Sequence, residues 1–336
     1  MHFVKTENQK NPISELIGRR KFNFNPKAMV CAGLALAIAC APSAFASEDT
    51  PHLPFAEMAD VLDQGQFIVG ALYEQSKSYQ IWASGRQYAI NVRGAGENYG
   101  IDTRQGYFIF EYGITERWSA DLEAGATTVG WRSFDVGDQI KSTTGLMDIA
   151  FGVRYQIFNE MKDTNSPWTP TLTFRAGAVI PGTYNSDFVY APGYRSAAIA
   201  PEILAKKHFG WTGFGAYGDL LYTWNMTTEN NNYMIATGFF QQIKGWELDV
   251  GYMHMQTLSG TDITFGVPGA LSTINYPKDV REIFDSIQAG FSYTTSKRHW
   301  RYAFHSTIVV DGNNSDNKPW FGGSIEIPFG GKKKAD

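Results

Sequence analysis

Cysteine is almost absent: of 336 residues only Cys31 and Cys40 carry a thiol, and both fall within the first 46. If that stretch is removed as an export signal, the remaining chain can form no disulfide and offer no thiolate to a metal, even in an oxidising compartment. Beyond the N-terminal region there is also no uncharged apolar run of the roughly 18 residues that a membrane-spanning helix needs. A helical membrane protein is thereby excluded. An excess of basic charge is missing too, with 29 Lys and Arg against 33 Asp and Glu, so no nucleic-acid partner is expected. Neither a Gly-rich phosphate loop nor zinc-ligand spacing occurs, and no cofactor or metal is expected.

The N-terminal region has the composition of a secretory signal. Arg19, Arg20, Lys21 and Lys27 form a basic stretch, 28–41 is apolar and uncharged, and Ala44-Phe45-Ala46 supplies small residues for cleavage after Ala46. The Arg pair resembles a twin-arginine signal only faintly, and Cys40 lacks the Leu expected three residues before an acylated cysteine. Cleavage of 1–46 leaves 23 basic and 31 acidic residues, a net charge of about −8. Residues 47–65 form a periplasmic N-terminal segment in which Phe55, Met58, Ala59 and Leu62 share one stripe of a short helix over 54–62. That segment is either an inert leader or a plug for the periplasmic mouth.

What the chain has in quantity is glycine, 34 residues, and aromatics, 15%. It also has a persistent period of two. Ile149, Phe151, Val153, Tyr155 and Ile157 alternate with Ala150, Gly152, Arg154 and Gln156, the pattern of a strand with one apolar and one polar face. Reading alternation and turn residues along the chain gives about twelve strands: 66–76, 105–112, 118–130, 146–158, 169–180, 197–209, 211–224, 232–243, 246–256, 284–295, 300–310 and 319–329. Many exceed the five or six residues usual in globular sheets and suit a tilted bilayer crossing. Short connections (113–117, 159–168, 210, 244–245, 296–299) alternate with long ones (77–104, 131–145, 181–196, 225–231, 257–283, 311–318). That rhythm belongs to a transmembrane barrel with short periplasmic turns and long external loops, and not to a Greek-key sandwich.

The expected fold is therefore all-β: an antiparallel transmembrane β-barrel over 66–329, followed by a C-terminal tail, 330–336. With Ile149, Phe151 and Val153 against lipid, the lumen receives Glu111, Asp121, Glu123, Asp148, Arg154, Arg175, Asp219, Glu247, Asp249, Gln288, Arg301, His305 and Glu326. An Arg or Lys on the lipid face near the bilayer centre would cost about 2 to 4 kcal/mol, so the consistent phase of these charges itself supports the facing. They form either a network that solvates a wet interior or a charged constriction that selects permeants. Trp118, Trp211, Trp246 and Trp300 each open a strand after a short turn, where an interfacial girdle would lie. In 232–243 the phase is ambiguous: Tyr233, Ile235 and Phe239 compete with Met234, Ala236 and Phe240.

Little in the chain points to catalysis. His305 and Ser306 are adjacent in a strand and face opposite ways, so they cannot act as base and nucleophile. Asp311 to Asn317 places oxygen ligands at alternate positions, as a calcium loop does, but lacks the closing Glu. It reads as a turn-rich loop.

Three stretches carry a family resemblance: Tyr112-Gly113-Ile114-Thr115-Glu116-Arg117-Trp118, Gly145 to Tyr155, and Phe174 to Gly182 ending in Ile180-Pro181-Gly182. With these the chain resembles a family of outer-membrane proteins named for the MetA pathway of phenol degradation. The resemblance implies a barrel and passage of small, aromatic or hydrophobic compounds, with no family site residues to carry over. The tail after Phe329 departs from the terminal aromatic usual in outer-membrane strands.

Together these features predict a bacterial outer-membrane channel, not an enzyme, for passive or ligand-selective passage of a small molecule. Its partners would be outer-membrane lipid and, during biogenesis, the barrel-assembly machinery. The alternatives are a structural or surface-interaction barrel that works through its long loops and, less favoured, a barrel enzyme. Twelve strands stand between barrels filled by side chains and wide sieves, which favours a narrow pore or a cavity for one elongated guest.

Overall fold

A computed structural model describes residues 59–83, 85–89, 101–133, 139–163, 168–184, 195–210, 212–227, 229–262, 280–317 and 319–330. The export signal, Trp211 and the tail from 331 lie outside the described residues. Twelve strands form the barrel: β1 (Gln66–Ser78), β4 (Ile101–Gly113), β5 (Trp118–Ser133), β7 (Ile149–Phe158), β8 (Thr171–Ile180), β9 (Ala198–His208), β10 (Phe214–Asn225), β11 (Asn232–Ile243), β12 (Trp246–Thr257), β13 (Ile283–Thr294), β14 (Arg301–Asn313) and β16 (Trp320–Gly330). Each pairs antiparallel with its neighbours, and β16 closes on β1 from Gln66↔Gly330 to Ser76↔Trp320. Closure pairs the backbone groups that an open sheet would leave bare at its edges, which is what lets a sheet survive in hydrocarbon.

Three expected loops contain more order than alternation alone suggested. In 77–104, β1 runs on to Ser78 and β4 begins at Ile101. Between them, β2 (Gln80–Ala83) and β3 (Arg86–Ala89) form a hairpin that β15 (Ser315–Asp316) extends to three strands. In 131–145, β5 continues to Ser133 and returns as β6 (Gln139–Leu146), which among the described residues pairs with β5 alone. The strand expected over 146–158 therefore starts at Ile149, because the chain breaks at Met147-Asp148. There Asp148 accepts from the Gly182 N–H, and the Thr183 N–H donates to the Leu146 carbonyl at 2.9 Å. Polar Thr, Ser and Gln in these segments obscured the period that hairpins beyond the lipid do not need.

At the other end the turns are tight. Lys244 and Gly245 both take positive φ, 51° and 86°, the two-residue geometry that matches strand twist in a hairpin. The longest connection at that end is anchored by Glu160, which accepts from the His208 N–H at 2.9 Å and from the Lys207 ammonium at 3.3 Å. Partial desolvation pushes this carboxyl up, but the His208 and Lys207 donors outweigh it and hold Glu160 below the usual range.

The outer surface of the barrel is apolar. Phe108, Leu122, Phe151, Val153, Phe174, Ile203, Leu220, Ile235, Val250, Ile287 and Phe304 all lie exposed on it, one strand after another. A continuous apolar surface of this kind is stable only against hydrocarbon. Paired aromatics rim the short-turn end: Trp118 with Tyr155 at 4.7 Å between ring centroids, Trp246 with Tyr293 at 4.6 Å, and Phe67 with Phe329 at 5.0 Å. Arg298 lies over Trp300 at 5.2 Å. Val250, 42% exposed near the middle of β12, reports on this surface. Val250→Arg should lower folding stability in phospholipid vesicles by about 2 to 4 kcal/mol, read from the urea midpoint, and a loss under 1 kcal/mol would contradict lipid at that face.

Candidate functional site: the lumen and the segment that enters it

Alternation fixes which side chains reach the interior. On β4 the inward series is Ile101, Thr103, Gln105, Tyr107, Ile109 and Glu111, and on β9 it is Ala198, Ala200, Glu202, Leu204 and Lys206. Of the thirteen residues proposed above for the lumen, twelve sit on strands in the same phase as these series, and Asp148 lies in the break between β6 and β7. Glu111, Asp148, Arg154, Asp219, Glu247, Gln288, Arg301 and Glu326 are buried, and Asp121, Glu123, Arg175, Asp249 and His305 are partly buried. They do not form one cluster.

One network crosses β4, β5, β7, β8 and β9. Arg154 lies 3.2 Å from Glu111 and 3.2 Å from Asp121; Arg175 grips Asp121 at 2.7 Å and reaches Glu202 at 3.4 Å. Arg154 and Arg175 are directly opposed across the β7–β8 pair, an arrangement that repels unless acids lie between them. Asp121 supplies that charge. The second network spans β12, β14 and β16, where Arg301 stands 3.5 Å from Glu247 and 3.7 Å from Glu326. Above it, His305 Nε2 is 2.6 Å from Glu74 Oε1 on β1, so the imidazole is held by a carboxylate, with Ser306 on the other face of the strand. Asp148 is committed to the wall break, accepting from Gly182 and from the Tyr184 hydroxyl at 3.4 Å.

Glycines make room for these side chains. A Cβ on Gly152 would come 2.6 Å from Arg175 Nε, and one on Gly322 would come 2.2 Å from the His305 ring. The strand glycines are sites of close approach. Their inward phase was a signal available in the sequence.

Beside these networks the lumen changes character. Leu221, Met234, Ala236, Met253, Met255, Phe284, Val309 and Trp320, with Trp82 packed against them, belong to one buried apolar cluster that continues through Ala200, Leu204, Tyr217 and Phe240 to Ala59 on the entering segment. This settles the ambiguous strand: Met234, Ala236 and Phe240 face in, and Tyr233, Ile235 and Phe239 face out. The interior is thus apolar here and charged along the two networks. Both faces of β11 are apolar because one meets lipid and the other lines a hydrophobic patch, so hydrophobicity alone could not set its phase.

The chain before β1 enters the barrel. Its described end, 59–65, is not helical; the rest of the expected helix, 54–58, lies outside the described residues. Ala59 is 1% exposed, and its carbonyl accepts from the inward Gln156 amide at 3.3 Å and from the Thr173 hydroxyl. Asp60 pairs with Lys206, whose side chain is 6% exposed. Farther out, the Gly65 N–H donates to the Gly113 carbonyl at 2.8 Å. A Cβ on Gly113 would come 2.1 Å from the Asp63 carbonyl oxygen. Lys206, Glu202 and Glu74 escaped the sequence reading, although the outward Ile199, Ile203 and Ala205 set the phase that turns Glu202 and Lys206 inward.

No family model matches the chain, and no curated protein does. Among solved structures it is similar to an outer-membrane channel from Pseudomonas putida F1, at 13% identity over 84% of this chain and 100% of that one, with a TM-score of 0.61. A likeness at that identity establishes the fold, that of an outer-membrane barrel. Looser likenesses are to the β domain of the Bordetella autotransporter Brka (14% identity, 80% and 100% covered, TM-score 0.43) and to a mutant of the monoaromatic hydrocarbon channel TodX (9%, 87% and 98%, 0.41). The resemblance to the phenol-degradation family rests on its three quoted stretches alone.

Proposed function

We propose that this protein is a bacterial outer-membrane channel for small apolar or aromatic molecules, with its N-terminal segment as the gate. The observation that carries this reading is the two-part lumen. A passage for sugars or ions has no use for Met234, Met253, Met255 and Phe284 on its inner wall, because buried apolar side chains offer hydrated solutes nothing in return for lost water. An apolar guest gains about 25 cal/mol for each Å² of its surface removed from water there. The charged networks beside the patch stiffen the wall and leave Lys206 to hold the segment. The solved outer-membrane channel supports the architecture, and the aromatic guest is an extension from the lining.

Planar-bilayer recordings of the mature chain test the proposal. Monoaromatic solutes should interrupt the ionic current at concentrations at which glucose does not. Current that is indifferent to both, or no conducting state under any condition, overturns it.

A further inference from the structure

Asp219 is anomalous among the lumen carboxylates. It is 4% exposed, and among the described residues no N–H donor reaches either of its buried oxygens; the group that meets them is a second carboxyl, Glu202. Its directly paired neighbours are apolar: Leu204 on β9 and Ala236 on β11, with Leu221 the next inward residue on its own strand. It therefore projects from the border of the apolar cluster. Glu202, diagonal to it on β9, adds a second negative charge beside it. The cations within the same wall are engaged elsewhere: Arg175 with Asp121 and Glu202, and Lys206 with Asp60. Buried beside a second carboxyl and without a cation of its own, a carboxylate costs several kcal/mol and is retained where something neutralises it.

We propose that Asp219 receives the ammonium head of a cationic amphiphile whose alkyl or aryl body lies along Met234, Met253 and Met255. The inference rests on the apolar-guest reading above and adds the charge of the guest. An ammonium fits better than a metal ion. It brings three donors that two adjacent carboxylates can share, whereas a hard cation demands six or more oxygens, which apolar Leu204, Leu221 and Ala236 cannot supply. An anionic amphiphile meets the opposite field: inward Glu74, Glu111, Asp121, Glu202, Glu247, Asp249 and Glu326 outnumber Arg154, Arg175, Lys206 and Arg301.

Calorimetric titration of the mature chain in nanodiscs with octylammonium, octanol and octanoate tests this. Partition into lipid is removed by comparison with Asp219→Asn in identical discs, and heat-dependent gel migration confirms that the variant is a folded barrel. Octylammonium should bind about tenfold or more tightly than octanol, the worth of one charge-assisted hydrogen bond. Asp219→Asn should abolish that advantage and leave octanol unchanged, and Asp219→Glu should restore most of it. Octanol binding with no ammonium advantage, an advantage that survives Asp219→Asn, or octanoate equal to octylammonium each overturns the amine assignment while the apolar passage stands. Binding of none of the three overturns both.

Discussion

Removal of residues 47–62 from the mature chain raises single-channel conductance severalfold and replaces brief openings by a long-lived open state. Among the described residues, Ala59 and Asp60 meet the barrel through the Ala59 carbonyl to Gln156 and Thr173, the packing of Ala59 in the buried apolar cluster, and the Asp60 carboxylate to Lys206. None of these is needed to close the sheet, whose strands pair continuously from β1 to β16 without the segment. The truncated barrel should therefore fold and migrate as the full chain does. Asp60→Asn gives a weaker version of the same result. The charge-assisted bond to Lys206 is worth about 1.5 to 3 kcal/mol, discounted because Asp60 is 46% exposed. At about 1.4 kcal/mol per factor of ten, its loss shifts the seated-to-released ratio roughly tenfold. Unchanged conductance in the truncated chain would show that the segment does not gate the lumen.

Arg154→Ala should be among the most destabilising single changes in the wall, at about 3 to 5 kcal/mol. The side chain is 6% exposed, and it faces Glu111 and Asp121. Truncation leaves Asp121 with Arg175 but strands Glu111 as a buried carboxylate with no cation. The urea midpoint in vesicles measures the loss. The double change Arg154→Met with Glu111→Gln should recover part of it, because removing both charges removes the unpaired one. A loss below about 1 kcal/mol would mean that water, and not Arg154, solvates Glu111.

Much of this architecture was legible in the residues. Where a strand has one apolar face, as at Ile149, Phe151 and Val153, a slip of one residue would bury Arg154 in lipid, so the sequence specifies facing. Tight turns such as Lys244-Gly245 announce themselves by residue type. The networks were only half legible. Arg154 and Arg175 were recognisable as inward, but the identity of their partners depends on register, and Glu111 reaches Arg154 past the intervening strand β5. The hairpins β2–β3 and β5–β6 were missed because segments beyond the lipid need no hydrophobic alternation.

The sequence by itself determined an antiparallel barrel of about twelve strands with lipid outside, since a period of two and a rhythm of short and long connections are local properties of the chain. Only the tertiary structure decided that Met234 and its neighbours line the lumen and that Asp60 meets Lys206, residues 146 positions apart. The reason is physical: lipid and an apolar lumen attract the same side chains, so composition cannot distinguish them, and an ion pair across the interior is fixed by strand register and not by spacing along the chain.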